Sequence, residues 1–148
     1  MRIMILGAAG EIGRMVTANL LEQTDFDLTL YGRNVTSRLA SSANSRVKLV
    51  DGTFEDTATI QANLSDVDAV YLNFVAEDPL IKPLLKIMEE AGVKRFILAS
   101  VPDLYEEVTG NFQKWYRAGK GKIWQSKLRA AADLVEASDL DYVILRIT

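Results

Sequence analysis

The chain has 148 residues, enough for one domain with a buried core, and its 49% apolar and 25% charged residues match an ordinary soluble globular protein. Its net charge of −3 favours neither nucleic acid nor an anionic membrane as a partner. With no cysteine there is no disulfide scaffold, thiolate nucleophile or zinc-thiolate site, and with no histidine the Ser-His-Asp and Cys-His mechanisms are excluded.

Strand-like apolar runs alternate with helical patterns along the whole chain. Residues 2–6, "RIMIL", read as a buried strand. Ile12, Met15, Val16 and Leu20 then recur at helical spacing and predict a helix to about Gln23. "DLTLY" (27–31) and "VKLV" (47–50) are the second and third strands, with a short helix and a polar loop between them. A short helix over 56–64 leads to a fourth strand, "DAVYLNF" (68–74).

Asp78 before Pro79 marks a helix start, which Pro83 moves towards Lys82, and Gly92 caps its end. "RFILAS" (95–100) is the fifth strand. From Val101 to about Lys122, a stretch containing Gly110, Gly119 and Gly121, a loop is expected. A helix over about 123–137 turns Leu128, Ala131, Ala132 and Val135 inward, and "DYVILRI" (141–147) is a sixth strand. Strands separated by helical patterns imply an α/β doubly wound parallel sheet, the Rossmann fold, in a single domain over 1–148 with strand order 3-2-1-4-5-6. No apolar run approaches the ~20 residues of a membrane span, and the short start "MRIMIL" is no secretory signal. The expectation is a cytoplasmic monomer or homodimer that takes a small-molecule substrate, with neither nucleic acid nor membrane as partner.

Between the first strand and the first helix stands "GAAGEIG", Gly7 to Gly13. This is either a nucleotide-phosphate cradle or a tight turn without a ligand. As a cradle, Gly7 permits a sharp exit from the strand, and Gly10 lets a pyrophosphate approach the backbone. The N–H groups near Glu11 and Ile12 point at the anion, and Gly13 lets the helix pack on the sheet. Ala9 stands where a GxGxxG turn would carry its second glycine.

The glycine turn resembles the "GATGxxG" of the atypical short-chain dehydrogenase/reductases, and within them the NmrA-like, NAD(P)H-binding group. "DLTLYGRN", "VDGTFED", "DAVYLNF", "RFILAS" and "ASDLDYVILR" resemble that group's successive signatures in order, so the likeness covers the whole chain. The residue that binds an adenosine ribose is expected ~20 residues past the turn, at the end of the second strand. That strand ends in Gly32 and Arg33, with Arg38 close behind and no carboxylate. A guanidinium pairs with a 2′-phosphate where a carboxylate would repel it, so NADP(H) is expected over NAD(H). The resemblance also implies that Gly52, Thr53 and Phe54 hold the adenine, and that Asn73, Phe74 and Val75 wall the ribose. Core packing is the alternative role for Phe54 and Phe74.

The family's usual catalytic set is Ser, Tyr and Lys, with the tyrosine moving a proton and the lysine lowering its pKa. Ser100 matches the serine and would face the cofactor. Counting back from "SDLDYVILR" puts Trp124 and Leu128 at the tyrosine and lysine places; taking Lys127 as the lysine puts Ile123 at the tyrosine place. A literal Tyr-x-x-x-Lys exists at Tyr116 and Lys120, but the neighbouring glycines argue against the helix that would join the pair. Two functions stay open. One is an NADPH-dependent reductase of a quinone, flavin or carbonyl compound without the usual Tyr-x-x-x-Lys pair. The other is a non-catalytic, NADP(H)-binding redox sensor of the NmrA type. No metal site is expected. The family's chains also continue past the last strand with a substrate-covering segment, which the residues up to Thr148 are expected to lack.

Overall fold

In the computed structural model, residues 1–119 and 122–147 are described, with the backbone alone for 122–125. Six strands form one sheet: β1 (Arg2–Leu6), β2 (Asp27–Gly32), β3 (Val47–Asp51), β4 (Ala69–Leu72), β5 (Arg95–Ser100) and β6 (Asp141–Arg146). Their order is β3-β2-β1-β4-β5-β6, and every neighbouring pair is parallel. The expected fold is the observed one.

The helices are α1 (Glu11–Gln23), α2 (Val35–Arg38), α3 (Thr57–Gln61), α4 (Asp78–Ala91), α5 (Gly110–Gly119) and α6 (Lys122–Glu136), with a 3₁₀ turn at Ala40–Ser42. Met4, Leu6, Val70, Leu72, Phe96 and Leu98 face one side, where Ile60 of α3, Ile81 and Met88 of α4, and Ala131 and Val135 of α6 cover them. Ile5, Leu28, Leu30 and Tyr71 face the other side, against Val35 and the half-buried Val16, Leu20 and Leu21 of α1. Both faces of the central strands are therefore dry, which explains their continuous rather than alternating apolar runs. At the edge, Val143 and Leu145 stand in register with Ile97 and Ala99 and are 49% and 40% exposed, because neither α1 nor α2 extends over β6.

Three expectations change. Ile12 and Met15 are exposed, and α1 instead presents Gly13 and Thr17 to the sheet. Gly13 must face β1 for the helix to come close, and that fixes the rotation of every residue after it. Helix α4 begins at Asp78 with Glu77 as its cap, so Pro83 is accommodated inside it, and it ends at Gly92 in the left-handed conformation (φ 74°). The expected loop over 101–122 contains helix α5, whose end falls at Gly119 and whose start, Gly110, takes the positive φ of 76° that suits glycine.

Candidate functional site

A parallel sheet sends the carboxyl ends of all six strands to one edge, and ligands of such sheets bind where the strand order reverses. Here that point lies between β1 and β4. Gly7, at the end of β1, has φ 85°, and a Cβ there would come within 2.9 Å of the Asn73 carbonyl oxygen that follows β4. A Cβ on Gly13 would sit 2.7 Å from the Gly7 carbonyl oxygen and 2.8 Å from that of Ala8. These two glycines answer to the protein's own backbone. Gly10 differs: a Cβ there would have its nearest neighbours at 3.4 and 3.5 Å, an ordinary contact, so the fold alone does not demand a glycine. Gly10 caps α1 with no side-chain hydrogen bond, which leaves the first-turn N–H groups directed out of the helix with no side chain upon them.

Two adjoining spaces follow the strand ends. The first, about 400 Å³, runs from the glycine turn over β2 and β3 and is lined by Ala9, Gly32, Arg33, Arg38, Gly52, Thr53 and Phe54 among others. The second, about 500 Å³, runs towards β5 and β6 past Glu11, Ile12, Val75 and Ser100. Gly10, Asn73 and Phe74 belong to both, so the two form one cleft across the switch point. Gly13 lines neither and serves the packing of α1. Phe54 and Phe74 stack with ring centroids 4.7 Å apart, and their contact reaches both the core and the cleft.

The first space is rich in guanidinium. Arg38 Nη2 donates to the Ala9 carbonyl at 2.9 Å, and Arg14 Nε donates to the same oxygen at 3.1 Å. Arg33 and Glu55 both line the same wall. None of these three arginines forms a contact ion pair among the described residues. Sequence reasoning passed over Arg14, although it directly follows the last glycine of the turn. The β3 end is built with equal care. Tyr31, fully buried, donates its hydroxyl to the Thr53 carbonyl at 2.7 Å, and a Cβ on Gly52 would fall 2.1 Å from that hydroxyl. Gly52 is thus a glycine because Tyr31 passes beneath it. Burial, with the Asp56 and Glu55 charges adding to it, pushes the Tyr31 phenol up to about 12. Asp51 accepts from the Thr36 N–H and hydroxyl, which hold its carboxyl below the usual range.

At the other end, Ser100 closes β5 and is 4% exposed, beside the second space. Leu128 is buried in an apolar cluster with Leu104 and Ala132. Lys127 is exposed and donates to Glu77 at 3.0 Å. Tyr116 lies on α5, stacked on Phe112, with its hydroxyl buried and unbonded among the described residues; Lys120 lies outside them. Burial and then the charges of Asp103 and Glu107 raise the Tyr116 pKa, the reverse of what a lysine neighbour would do. Neither Tyr116 nor Lys127 lines the cleft, so the structure does not bring them together with Ser100 there. Glu106 and Glu107 are both exposed, and Glu107 pairs with Arg146 and accepts from the N–H groups of Asp103 and Tyr105. Among the described residues no cluster of acidic side chains could hold a metal ion, and no helix is long and apolar enough to cross a membrane.

The chain matches the NAD(P)H-binding family over residues 7–148. A short-chain dehydrogenase/reductase of the wide type from Veillonella parvula, solved in complex with NADP, is 28% identical and superposes with a TM-score of 0.92 over 99% of this chain and 69% of its own. A Rossmann-fold NAD(P)-binding protein from Shigella flexneri is 26% identical, with a TM-score of 0.76 over 98% of this chain and 66% of its own. A probable pinoresinol-lariciresinol reductase of Arabidopsis thaliana is 32% identical over 102 residues, which span 66% of this chain and 33% of that protein. The glycine turn, the cleft at the switch point and these likenesses agree, and the chain belongs to the NAD(P)H-binding family, in the atypical short-chain dehydrogenase/reductase, NmrA-like group.

Proposed function

We propose that the protein binds NADP(H) in preference to NAD(H) and is an oxidoreductase that reduces a small acceptor such as a quinone, a flavin or a carbonyl compound. The observation that carries this reading is the set of guanidiniums at the β2 end of the cleft, Arg33 and Arg38 with Arg14 beside them, where no carboxylate follows the strand in the ribose-binding place. An open Gly10 and the free first-turn N–H groups of α1 would hold the pyrophosphate, with Glu11 and Ile12 next to it. Gly32, Arg33 and Arg38 would take the 2′-phosphate, Thr53 and Phe54 the adenine, and Asn73, Phe74 and Val75 the ribose wall. The NADP complex of the Veillonella neighbour supports the same preference.

The bound dinucleotide carries the hydride chemistry, and the protein's part is to orient it and to shape the acceptor space. Ser100 would orient the acceptor at the end of β5. At the place expected for the catalytic lysine, Leu128 sits in an apolar cluster, and the one lysine beside it, Lys127, holds Glu77. This favours acceptors that need little acid catalysis from the protein. It also favours the second reading, a redox-responsive NADP(H)-binding regulator that does not turn the cofactor over.

Titration of both dinucleotides against the unaltered chain and Arg33→Ala tests the cofactor assignment. Loss of a phosphate–guanidinium pair is expected to weaken NADP(H) about tenfold, with NAD(H) little changed. An equal loss for both, or none for NADP(H), would sink it. NADPH oxidation across a panel of quinones, flavins and aldehydes separates the two functions, because tight binding without turnover on any of them selects the regulator.

A further inference from the structure

The arginine-rich wall of the cleft also carries a carboxylate. Arg33, Arg38 and Glu55 line the same space. Arg38 is tied to the Ala9 carbonyl at 2.9 Å. Arg33 has no hydrogen bond or contact ion pair among the described residues, and its charge is one of the influences that lower the Glu55 pKa. Hydrogen bonding within its own turn, from its N–H and the Thr53 hydroxyl, and then the Arg33 charge hold the Glu55 carboxyl below the usual carboxylate range. The turn that bears it is anchored from below, where the buried Tyr31 hydroxyl bonds the Thr53 carbonyl at 2.7 Å.

We propose that Glu55 sets how strongly this site discriminates between the two dinucleotides, because it opposes a 2′-phosphate and competes with it for Arg33 while leaving a free 2′-hydroxyl unaffected. This rests on the NADP(H) reading above. At pH 7, above its second pKa, a phosphate monoester carries about −1.5 to −2 charge, so the repulsion falls almost wholly on the phosphorylated ligand. The site thereby keeps a preference for NADP(H) that is smaller than its arginines alone would produce. Glu55 is exposed, so neutralising it leaves the core untouched.

The test is calorimetric titration of NADP⁺ and NAD⁺ into the unaltered chain and Glu55→Gln, at low and high salt. At low salt Glu55→Gln is expected to tighten NADP⁺ binding about three- to fivefold with NAD⁺ unchanged, the size of a charge repulsion across a water-filled cleft. The gain should shrink towards none in about 0.5 M salt, since exposed charges are screened there. Unchanged NADP⁺ binding by Glu55→Gln overturns the inference alone. So does an equal loss for both ligands, which would make Glu55 a contact to the shared adenosine. If the unaltered chain binds neither dinucleotide, the NADP(H) reading fails and takes this inference with it.

Discussion

The three glycines of one turn do different physical work, and each can be told from the others by substitution. Gly13→Ala forces a Cβ to within 2.7 Å of the Gly7 carbonyl oxygen. It is expected to cost about 1–3 kcal/mol by overpacking, a fall of several degrees in Tm by thermal denaturation. Gly10→Ala meets only ordinary contacts at 3.4 and 3.5 Å and should cost under about 1 kcal/mol, while filling the place of the pyrophosphate and weakening dinucleotide binding at least about tenfold. Loss of stability without loss of binding in Gly10→Ala would refute the cradle. Tyr31 offers a second residue-level test. Its phenol is raised to about 12 in the folded chain and stands near 10 when unfolded, so the folded state favours the protonated form. That contribution is complete below about pH 10 and fades as the pH climbs towards 12. Stability measured from pH 8 to 12 should therefore fall less steeply in Tyr31→Phe, after an initial loss of about 1 kcal/mol for the bond to Thr53.

At the scale of elements, α5 is the helix that local sequence signals read as a loop. Its glycines at 110 and 119 lie at its ends, where they terminate a helix rather than forbid one. What secures it is a long-range pair: Asp103, fully buried with φ 67°, binds Arg117 of α5 through both carboxylate oxygens and accepts from the Val108 N–H at 3.0 Å. Removing Asp103 takes the acceptor from the Val108 N–H and releases Arg117, whose side chain is partly exposed and regains water. Asp103→Ala is therefore expected to cost about 1–3 kcal/mol in this region and to speed proteolysis within 104–119. An unchanged cleavage pattern would show that α5 is secured by its aromatics instead. The contrast with α4 is instructive. There Pro79, the apolar face and Gly92 were all readable, and only the effect of Pro83 was overestimated: it stands in the second turn and forgoes one backbone bond, yet Ile81, Leu84, Ile87 and Met88 are buried on either side of it and the helix runs through.

At the scale of the molecule, the alternation of apolar runs and helical patterns determined the class of fold, and right-handed crossovers with the glycine-rich first turn pointed to the order of the sheet. Parallel strands buried on both faces leave few other arrangements once crossovers are right-handed. The glycine turn and the arginines after β2 were legible for a related reason: backbone geometry and formal charge are properties of single residues. What no local pattern could show were the relations across distant strands. Arg14 and Arg38 meet on one carbonyl oxygen, Tyr31 accounts for Gly52, and Glu55 shares one space with Arg33, each joining segments far apart in the chain. Leu128 shows the same limit in the acceptor half, where only packing against Leu104 and Ala132 reveals that the place is apolar. The amino-acid sequence by itself determined the scaffold and the position of the phosphate turn, since these follow from hydrophobic period and glycine conformation. The tertiary structure alone decided which charges share the cleft, because a Coulomb interaction depends on separation in space and not on separation along the chain.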